Sequence, residues 1–117
     1  MQIYKTPLRE FKFLIEDFLN LKESETLKKL DLETGDLMLI IEEAAKLCEQ
    51  TLLPLNQSGD SEGCTFNNGV VTAPKGFKEA YKTFSENGWQ GLKVKEEFGG
   101  QNLPYIMNMI LDEMISS

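Results

Sequence analysis

Histidine is absent from this 117-residue sequence, and cysteine occurs only twice, at Cys48 and Cys64. Without histidine, a Cys–His or Ser–His nucleophile has no general base. The cysteines form no C-x-x-C pair and have no second soft ligand nearby, so the sequence predicts no zinc or iron site. We therefore expect no metal, and carboxylates are the side chains left for acid–base chemistry.

Clusters of basic residues and long apolar runs are also missing. The chain has 19 Asp and Glu against 12 Lys and Arg, a net charge of −7, and its basic side chains are scattered except at Lys28–Lys29. Phosphate backbones bind clustered Lys and Arg, so we expect no nucleic-acid partner. No apolar run approaches the roughly 20 residues of a membrane span. Nothing resembling a signal peptide precedes the first helix, which favours reduced thiols in a cytoplasmic protein.

The length suffices for one domain with its own core, and apolar residues at helical spacing predict that it is largely helical. With Thr6 as its cap and Pro7 in the first helical position, an amphipathic helix is predicted to end at about Leu21. A short helical piece is predicted to begin at Ser24, although a loop also fits residues 23–31.

A long helix is expected next, from Thr34 as its cap to Pro54, because proline disfavours helix in the residue before it. Residues 55–73 are predicted to be irregular apart from a hairpin at 64–72 that turns at Asn68–Gly69. An isolated hairpin is marginally stable in water, so we expect it to lean on the helices. The buried stripe of the long helix is predicted to be Leu37, Ile40, Ile41, Ala44, Leu47, Cys48 and Leu52.

Two further helices are predicted towards the end of the chain. The first begins at Pro74 and ends at Asn87–Gly88 in a left-handed stop. The second begins at Pro104 and has almost no polar face, and such a helix is normally buried on all sides. Too few other elements remain to surround it, so we expect a second domain to cover it and the chain to be truncated at its C-terminal end. The predicted fold class is all-α, with four to five helices and one small β-hairpin near residues 64–72.

The link between these two helices is rich in glycine and holds the one tryptophan, Trp89. Gly99–Gly100 makes a poor phosphate cradle, because no strand clearly precedes it and no Lys, Ser or Thr opens the following helix. Trp89 and Phe98 are better explained as core or interdomain packing residues than as ligand contacts. The Asn56–Gly63 segment lacks the ligand pattern of an EF-hand, so we expect a structured turn rather than a calcium site.

Six motifs in series resemble the amino-terminal helical domain of the acyl-CoA dehydrogenases, in the bacterial branch with a short N-terminal extension. They are Tyr4-x-x-Pro7-Leu8-Arg9, Phe13-x-x-x-Asp17, Pro54-Leu55-Asn56-x-x-Gly59-Asp60-x-x-Gly63-Cys64, Pro74-x-Gly76-Phe77-x-x-Ala80-Tyr81, Gly88-Trp89-x-Gly91-Leu92 and Gly99-Gly100-Gln101-x-Leu103-Pro104. One departure is Asn102, where that branch usually has glycine. The resemblance implies an extension over residues 1–33 and the helical domain over residues 34–117.

The resemblance implies a flavoprotein that removes hydrogens from the α and β carbons of an acyl-CoA thioester and passes the electrons to a separate carrier. A carboxylate base takes the α proton while the flavin accepts the β hydride. In the family the base lies in the C-terminal helical domain, and FAD lies mainly on a middle β domain and that last domain. No catalytic or FAD-binding residue is therefore expected here, the base is expected beyond Ser117, and the 117-residue fragment is expected to be inactive alone. The full-length protein is implied to be a homo-oligomer.

In that family the first domain helps to wall the acyl-CoA cavity, and its glycine loop and following helix lie nearest the substrate tail. The matching positions make Met109, Asp112, Glu113 and Ser116 candidates for the cavity wall. A second hypothesis is a self-contained helical interaction module, whose Met-rich last helix docks onto a partner protein or a lipid-like ligand.

Overall fold

The computed structural model describes residues 3–117, which are mostly helical with one small antiparallel sheet, as the sequence predicts. The order is α1 (Leu8–Phe13), α2 (Glu25–Lys29), α3 (Thr34–Lys46), α4 (Leu53–Glu62), β1 (Thr65–Asn67), β2 (Val70–Thr72), α5 (Phe77–Glu86) and α6 (Tyr105–Ser116). Two π-helical turns, Leu14–Phe18 and Leu47–Leu52, extend α1 and join α3 to α4. Single 3₁₀ turns lie at Leu21–Glu23, Trp89–Gly91 and Glu96–Phe98.

The first helix differs from its prediction at both ends. Thr6 does not cap it, because its hydroxyl has no hydrogen-bond partner in the described chain and Pro7 is the residue that precedes α1. The π-helical turn ends at Phe18 instead of near Leu21, and Asn20 then takes a left-handed conformation with φ 47°. An asparagine tolerates this conformation, which breaks the helix.

The long helix also begins and ends differently. Its cap is Glu33 rather than Thr34, and the Glu33 N–H donates to Oδ2 of Asp36 over 2.8 Å. Pro54 does not end it, because the π-helical turn passes the chain into α4 and Pro54 lies in the first turn of α4, where an N–H is least needed. The irregular segment expected from residue 55 is therefore helical as far as Glu62.

The hairpin is confirmed, with Phe66 opposite Val71, but its predicted support is wrong. Asn68 and Gly69 have φ angles of 49° and 81°, the conformations of a type I′ turn. Every residue of both strands is exposed, Phe66 by 74%. The hairpin therefore extends from the helices into solvent.

The core lies where α1, α2, α3 and α6 meet. Six of the seven residues in the stripe predicted for the long helix are buried in this core or packed against it. The seventh, Leu47, is buried but lies outside the main cluster. Residues 1–33 contribute Phe11, Ile15 and Leu27 to the same core, so the proposed extension and the rest share one interior. The core side chains are Phe11, Ile15, Leu27, Leu37, Met38, Ile41, Ala44, Ala45, Cys48, Leu92, Met107, Ile110, Leu111 and Met114.

Candidate functional site

The glycine-rich link from Gly88 to Pro104 is a compact folded unit that sets the start of α6. Its amides bond back across the link: Gln101 N–H donates to the Gly91 carbonyl over 2.9 Å, and Leu103 N–H to the Leu92 carbonyl over 2.8 Å. Leu92 is buried in the core, and Trp89 is partly buried against it, as a packing residue would be. Phe98 is 75% exposed and takes no part in the core. The link therefore fixes where α6 begins.

Two positions in the link depend on backbone conformation. A Cβ at Gly100 would overlap the backbone carbonyl of Val94, so the two backbone strands of the link approach too closely for any side chain there. Asn102 has φ 54°, in the left-handed region that glycine occupies freely and asparagine tolerates. The Asn102 N–H donates to the same Val94 carbonyl over 2.8 Å. The departure from the usual glycine is thus compatible with a left-handed turn.

Helix α6 has a buried face and an exposed face. Met107, Ile110 and Met114 are at most 8% exposed and pack into the core. Met109 is 57% exposed and Tyr105 60% exposed, although both are large apolar or aromatic side chains. The sequence predicts a helix with almost no polar face that is covered on all sides. In the described chain, one side of α6 faces solvent.

The four candidate wall residues lie together on that exposed face. Met109, Asp112, Glu113 and Ser116 are spaced by three, one and three residues, which places them on one side of a helix. All four are exposed. Asp112 is oriented by Asn108, whose Nδ2 donates to Asp112 Oδ2 over 2.8 Å. At the start of the face, the Lys93 ammonium lies 4.4 Å from the centre of the Tyr105 ring, a cation–π contact.

Two cavities flank the end of α6. The first, of about 310 Å³, is lined by Ser116 together with Tyr4, Cys48, Leu52 and Asn56. The second is a more apolar groove of about 460 Å³ between α4, α5 and the last turn of α6. Its lining is Leu52, Leu55, Asn56, Phe77, Ala80, Tyr81, Phe84 and Ile115. Of the four candidates, Ser116 lines a cavity, whereas Met109, Asp112 and Glu113 line an open surface.

Most of the cavity residues have no direct signal in the sequence. Tyr4 and Asn56 are 52 residues apart in the chain, and Leu52 was expected only as part of the buried stripe. The aromatic face of α5 was visible as Phe77, Ala80, Tyr81 and Phe84 at helical spacing, but its partner α4 was expected to be irregular. The groove between the two helices therefore could not be predicted.

The backbone donors of residues 99–103 do not form a phosphate site. Every backbone N–H from Gly99 to Leu103 donates to a carbonyl within the link itself, so none remains for the pyrophosphate of a flavin nucleotide. Within residues 3–117, no cluster of three or more His, Cys, Asp and Glu side chains could hold a metal ion. None of the helices described is long and apolar enough to cross a membrane.

Comparison with known proteins places this helical unit in a family. Residues 34–117 match the family described as acyl-CoA dehydrogenase, N-terminal domain. This chain belongs to the acyl-CoA dehydrogenase family. The matched residues begin at α3 and include α4, the hairpin, α5, the glycine-rich link and α6. The α1 and α2 region lies outside the matched residues, although it contributes to the core.

A curated relative of this acyl-CoA dehydrogenase domain is the 3-methylmercaptopropionyl-CoA dehydrogenase of Ruegeria pomeroyi. The two are 34% identical over 115 residues, which cover 97% of this chain and 20% of the relative. The similarity extends through the region before residue 34. The chain spans about a fifth of the length of the curated relative that it matches.

Proposed function

We propose that this chain is the N-terminal helical domain of a flavin-dependent acyl-CoA dehydrogenase and that the exposed face of α6 forms part of the acyl-CoA cavity wall. The family match over residues 34–117 supports the dehydrogenase. The observation that carries the wall assignment is Met109, which stays 57% exposed on a helix whose other side is core. Large apolar side chains in a contiguous exposed patch are typical of surfaces that a ligand or another domain covers.

In the proposed enzyme, this chain and the remaining domains have different roles. Residues 1–33 form the extension and residues 34–117 the helical domain, while the catalytic base and FAD belong to parts of the enzyme beyond Ser117. The bonded amides of residues 99–103 support this division, because they leave that part of the link no free donor for FAD phosphates. The chain alone is then inactive. The whole enzyme dehydrogenates an acyl-CoA, passes electrons to a separate carrier, and acts in the cytoplasm as a homo-oligomer.

The four candidate residues would contribute binding rather than chemistry. Met109 offers a flexible thioether, a side chain suited to packing against an acyl tail. Asp112, with its carboxylate held by Asn108, and Glu113 border that contact with charge. Ser116 lines the first cavity together with Tyr4. The wall therefore excludes water and positions the tail.

A chimeric enzyme tests the wall. The aligned segment of the Ruegeria pomeroyi dehydrogenase is replaced by this chain, and acyl-CoA oxidation is followed with an artificial electron acceptor. Met109→Trp is expected to raise the KM for acyl-CoA about tenfold with a smaller change in kcat, because it alters apolar ground-state binding.

The matched control is Val70→Trp, since Val70 is 63% exposed on the hairpin, away from α6. Its KM should stay at the value of the unaltered chimera. Equal KM values for the two Trp variants would contradict the wall assignment. A chimera that folds and binds FAD but never oxidises any acyl-CoA would contradict the dehydrogenase assignment itself.

The exposed α6 face also fits the second candidate, a helical interaction module that docks through this helix. Tyr105 and Met109, both more than half exposed, form the apolar part of the docking surface in that case. The reading frame downstream of codon 117 separates the two candidates. A frame that continues for several hundred codons supports the dehydrogenase, whereas an immediate stop codon supports the module.

A further inference from the structure

Residues Ile3–Pro7, called the strap from here on, have no regular secondary structure and contact the π-helical turn that follows α3. Most side-chain hydrogen bonds of the described chain join residues at most five positions apart. The strap is an exception, because Thr6 N–H donates to Oε1 of Glu49 over 2.8 Å across 43 positions. Lys5 Nζ lies 3.2 Å from the other carboxylate oxygen. One carboxylate therefore holds two consecutive residues of the strap.

The strap forms one wall of the first cavity. Ile3 and Tyr4 line it from the strap, and Cys48 lines it from the π-helical turn that also carries Glu49. The Cys48 side chain is only 3% exposed although it borders a cavity of about 310 Å³. Ile3, one of the residues that line it, is 87% exposed, so the cavity is already partly open to solvent. Movement of the strap would widen it and uncover the thiol, with the helices unchanged.

The closed strap contains a group that opposes closure. The Thr6 side chain is 4% exposed, and its Oγ1 is buried with no hydrogen bond of good geometry to any of residues 3–117. Such a hydroxyl loses its bonds to water on closing and gains none in return. Lys5 adds little to closure, because its side chain is 83% exposed and the ion pair is screened. The carboxylate of Glu49 and the hydroxyl of Thr6 thus act in opposite directions.

We propose that Ile3–Pro7 is a latched strap, which Glu49 holds over the cavity beside Cys48 and which opens without unfolding the helices. The buried hydroxyl of Thr6 lowers the free energy needed to open the strap, so that the strap opens more readily than the whole chain unfolds. Local openings of this kind have lower free energies than global unfolding and expose less surface. The strap thus controls access from this cavity to the Cys48 thiol.

Thiol reactivity measures the opening directly in the 117-residue chain. Cys64 is exposed and is removed by Cys64→Ser, so that an aromatic disulfide reagent reports on Cys48 alone. Glu49→Gln is expected to raise the Cys48 rate about fivefold, because a hydrogen bond to a carboxylate is stronger than one to an amide. Thr6→Val keeps the N–H donor and removes the unpartnered hydroxyl, so the rate should fall about threefold.

Two controls isolate the strap from other effects. Glu43→Gln alters a carboxylate on α3 that pairs with Lys46 and not with the strap, so its Cys48 rate should match the parent. Because burial, and with it the charge of Glu49, raises the pKa of the Cys48 thiol, rates are compared on the high-pH plateau, where the thiol is fully ionised. The rate should depend on urea much less steeply than global unfolding does.

Hydrogen exchange of the Thr6 amide gives a readout that needs no variant. The latch predicts exchange through an opening whose free energy and urea dependence lie below those of the amides of α3. Equal Cys48 rates in the Glu49→Gln and Glu43→Gln proteins would overturn the proposal. So would a Thr6 amide or a Cys48 thiol that reacts only through global unfolding.

Discussion

Residue 100 must be glycine because neighbouring backbone leaves no room for a side chain there. A Cβ there would overlap the Val94 carbonyl, and that carbonyl also accepts the Asn102 N–H. Backbone cannot move aside as the end of a flexible side chain can. The close approach therefore holds the link in one conformation.

Gly100→Ala should destabilise the chain by about 1–3 kcal/mol, the usual cost of overpacking an interior. Gly35→Ala is the matched control, because no atom lies within 4 Å of a Cβ built at Gly35 in the first turn of α3. That control should be neutral or stabilising by up to about 1 kcal/mol, since alanine favours helix. Urea denaturation followed by circular dichroism measures both, and equal midpoints would contradict the close approach.

Glu49 makes stability depend on pH through one carboxylate. The hydrogen bond from the Thr6 N–H, with a further contribution from Lys5, lowers the pKa of Glu49 below its ordinary 4.5. A lowered folded-state pKa means that the carboxylate stabilises the fold above its unfolded pKa, and that this stability is lost as pH falls through the folded pKa. The affected window therefore lies below about pH 5.

The Glu49→Gln protein should accordingly be less stable than the parent at pH 7, and the difference should shrink as pH falls towards 3. Thermal melts at half-unit pH steps measure this convergence. Glu43→Gln serves as the reference, because Glu43 forms only an exposed pair with Lys46. If the stability difference between Glu49→Gln and the parent stays constant down to pH 3, the hydrogen bond between Thr6 and Glu49 is not its source.

Among the elements, the hairpin of β1 and β2 is the least supported by its surroundings. Its turn depends on positive φ at Asn68 and Gly69, and its side chains touch no core. Gly69→Ala introduces backbone strain of order 1 kcal/mol in a hairpin that is itself marginal. We expect the hairpin amides to lose protection from exchange while the melting temperature of the helices changes by less than about 3 °C.

The comparable change in a supported position is Gly59→Ala in α4. A Cβ at Gly59 would overlap the Phe77 ring, so this variant disturbs the contact between α4 and α5. Its melting temperature should fall by more than that of Gly69→Ala. If the two variants lowered the melting temperature equally, the hairpin would have to be coupled to the helices.

Element types could be predicted from the sequence where one local rule dominates. Spacing of apolar residues identified the stripe of α3, and Asn68–Gly69 identified the hairpin turn. Pro54 misled the prediction because the rule for proline assumes α-helical bonding, and the π-helical turn before it changes that bonding. The contact of Thr6 with Glu49 joins residues 43 positions apart, and no local pattern encodes it. The cavities depend on such distant contacts, so their lining could not be predicted from the sequence either.

At the scale of the whole molecule, the exposed apolar side chains near α6 set how the isolated chain behaves in solution. Met109 and Tyr105 lie on one face, and Ile115, 45% exposed, lines the groove beside α5. A patch of this kind promotes binding of hydrophobic dyes and self-association. The net charge of −7 opposes association at low salt and less so at high salt.

Met109→Lys combined with Ile115→Lys should therefore reduce dye fluorescence and concentration-dependent association while leaving the melting temperature within a few degrees. Leu39→Lys is the control, because Leu39 is 63% exposed on α3. Its effect on both readouts should be smaller. Dye binding and sedimentation at two protein concentrations measure the difference. Unchanged association in the double variant would show that the chain associates through another surface.

The π-helical turn at Leu47–Leu52 has a consequence for the spacing of the sequence. Each residue added to a helix rotates everything after it by about 100° and advances it by about 1.5 Å. The π-helical turn takes up one such residue in a wider turn, so deleting Gln50, an exposed residue of the turn, should restore ordinary α-helical bonding and leave Leu55 and Gly59 facing α5. Related chains that are one residue shorter in this segment should therefore keep the same side of the second half of the helix towards α5, and the groove there should keep its lining.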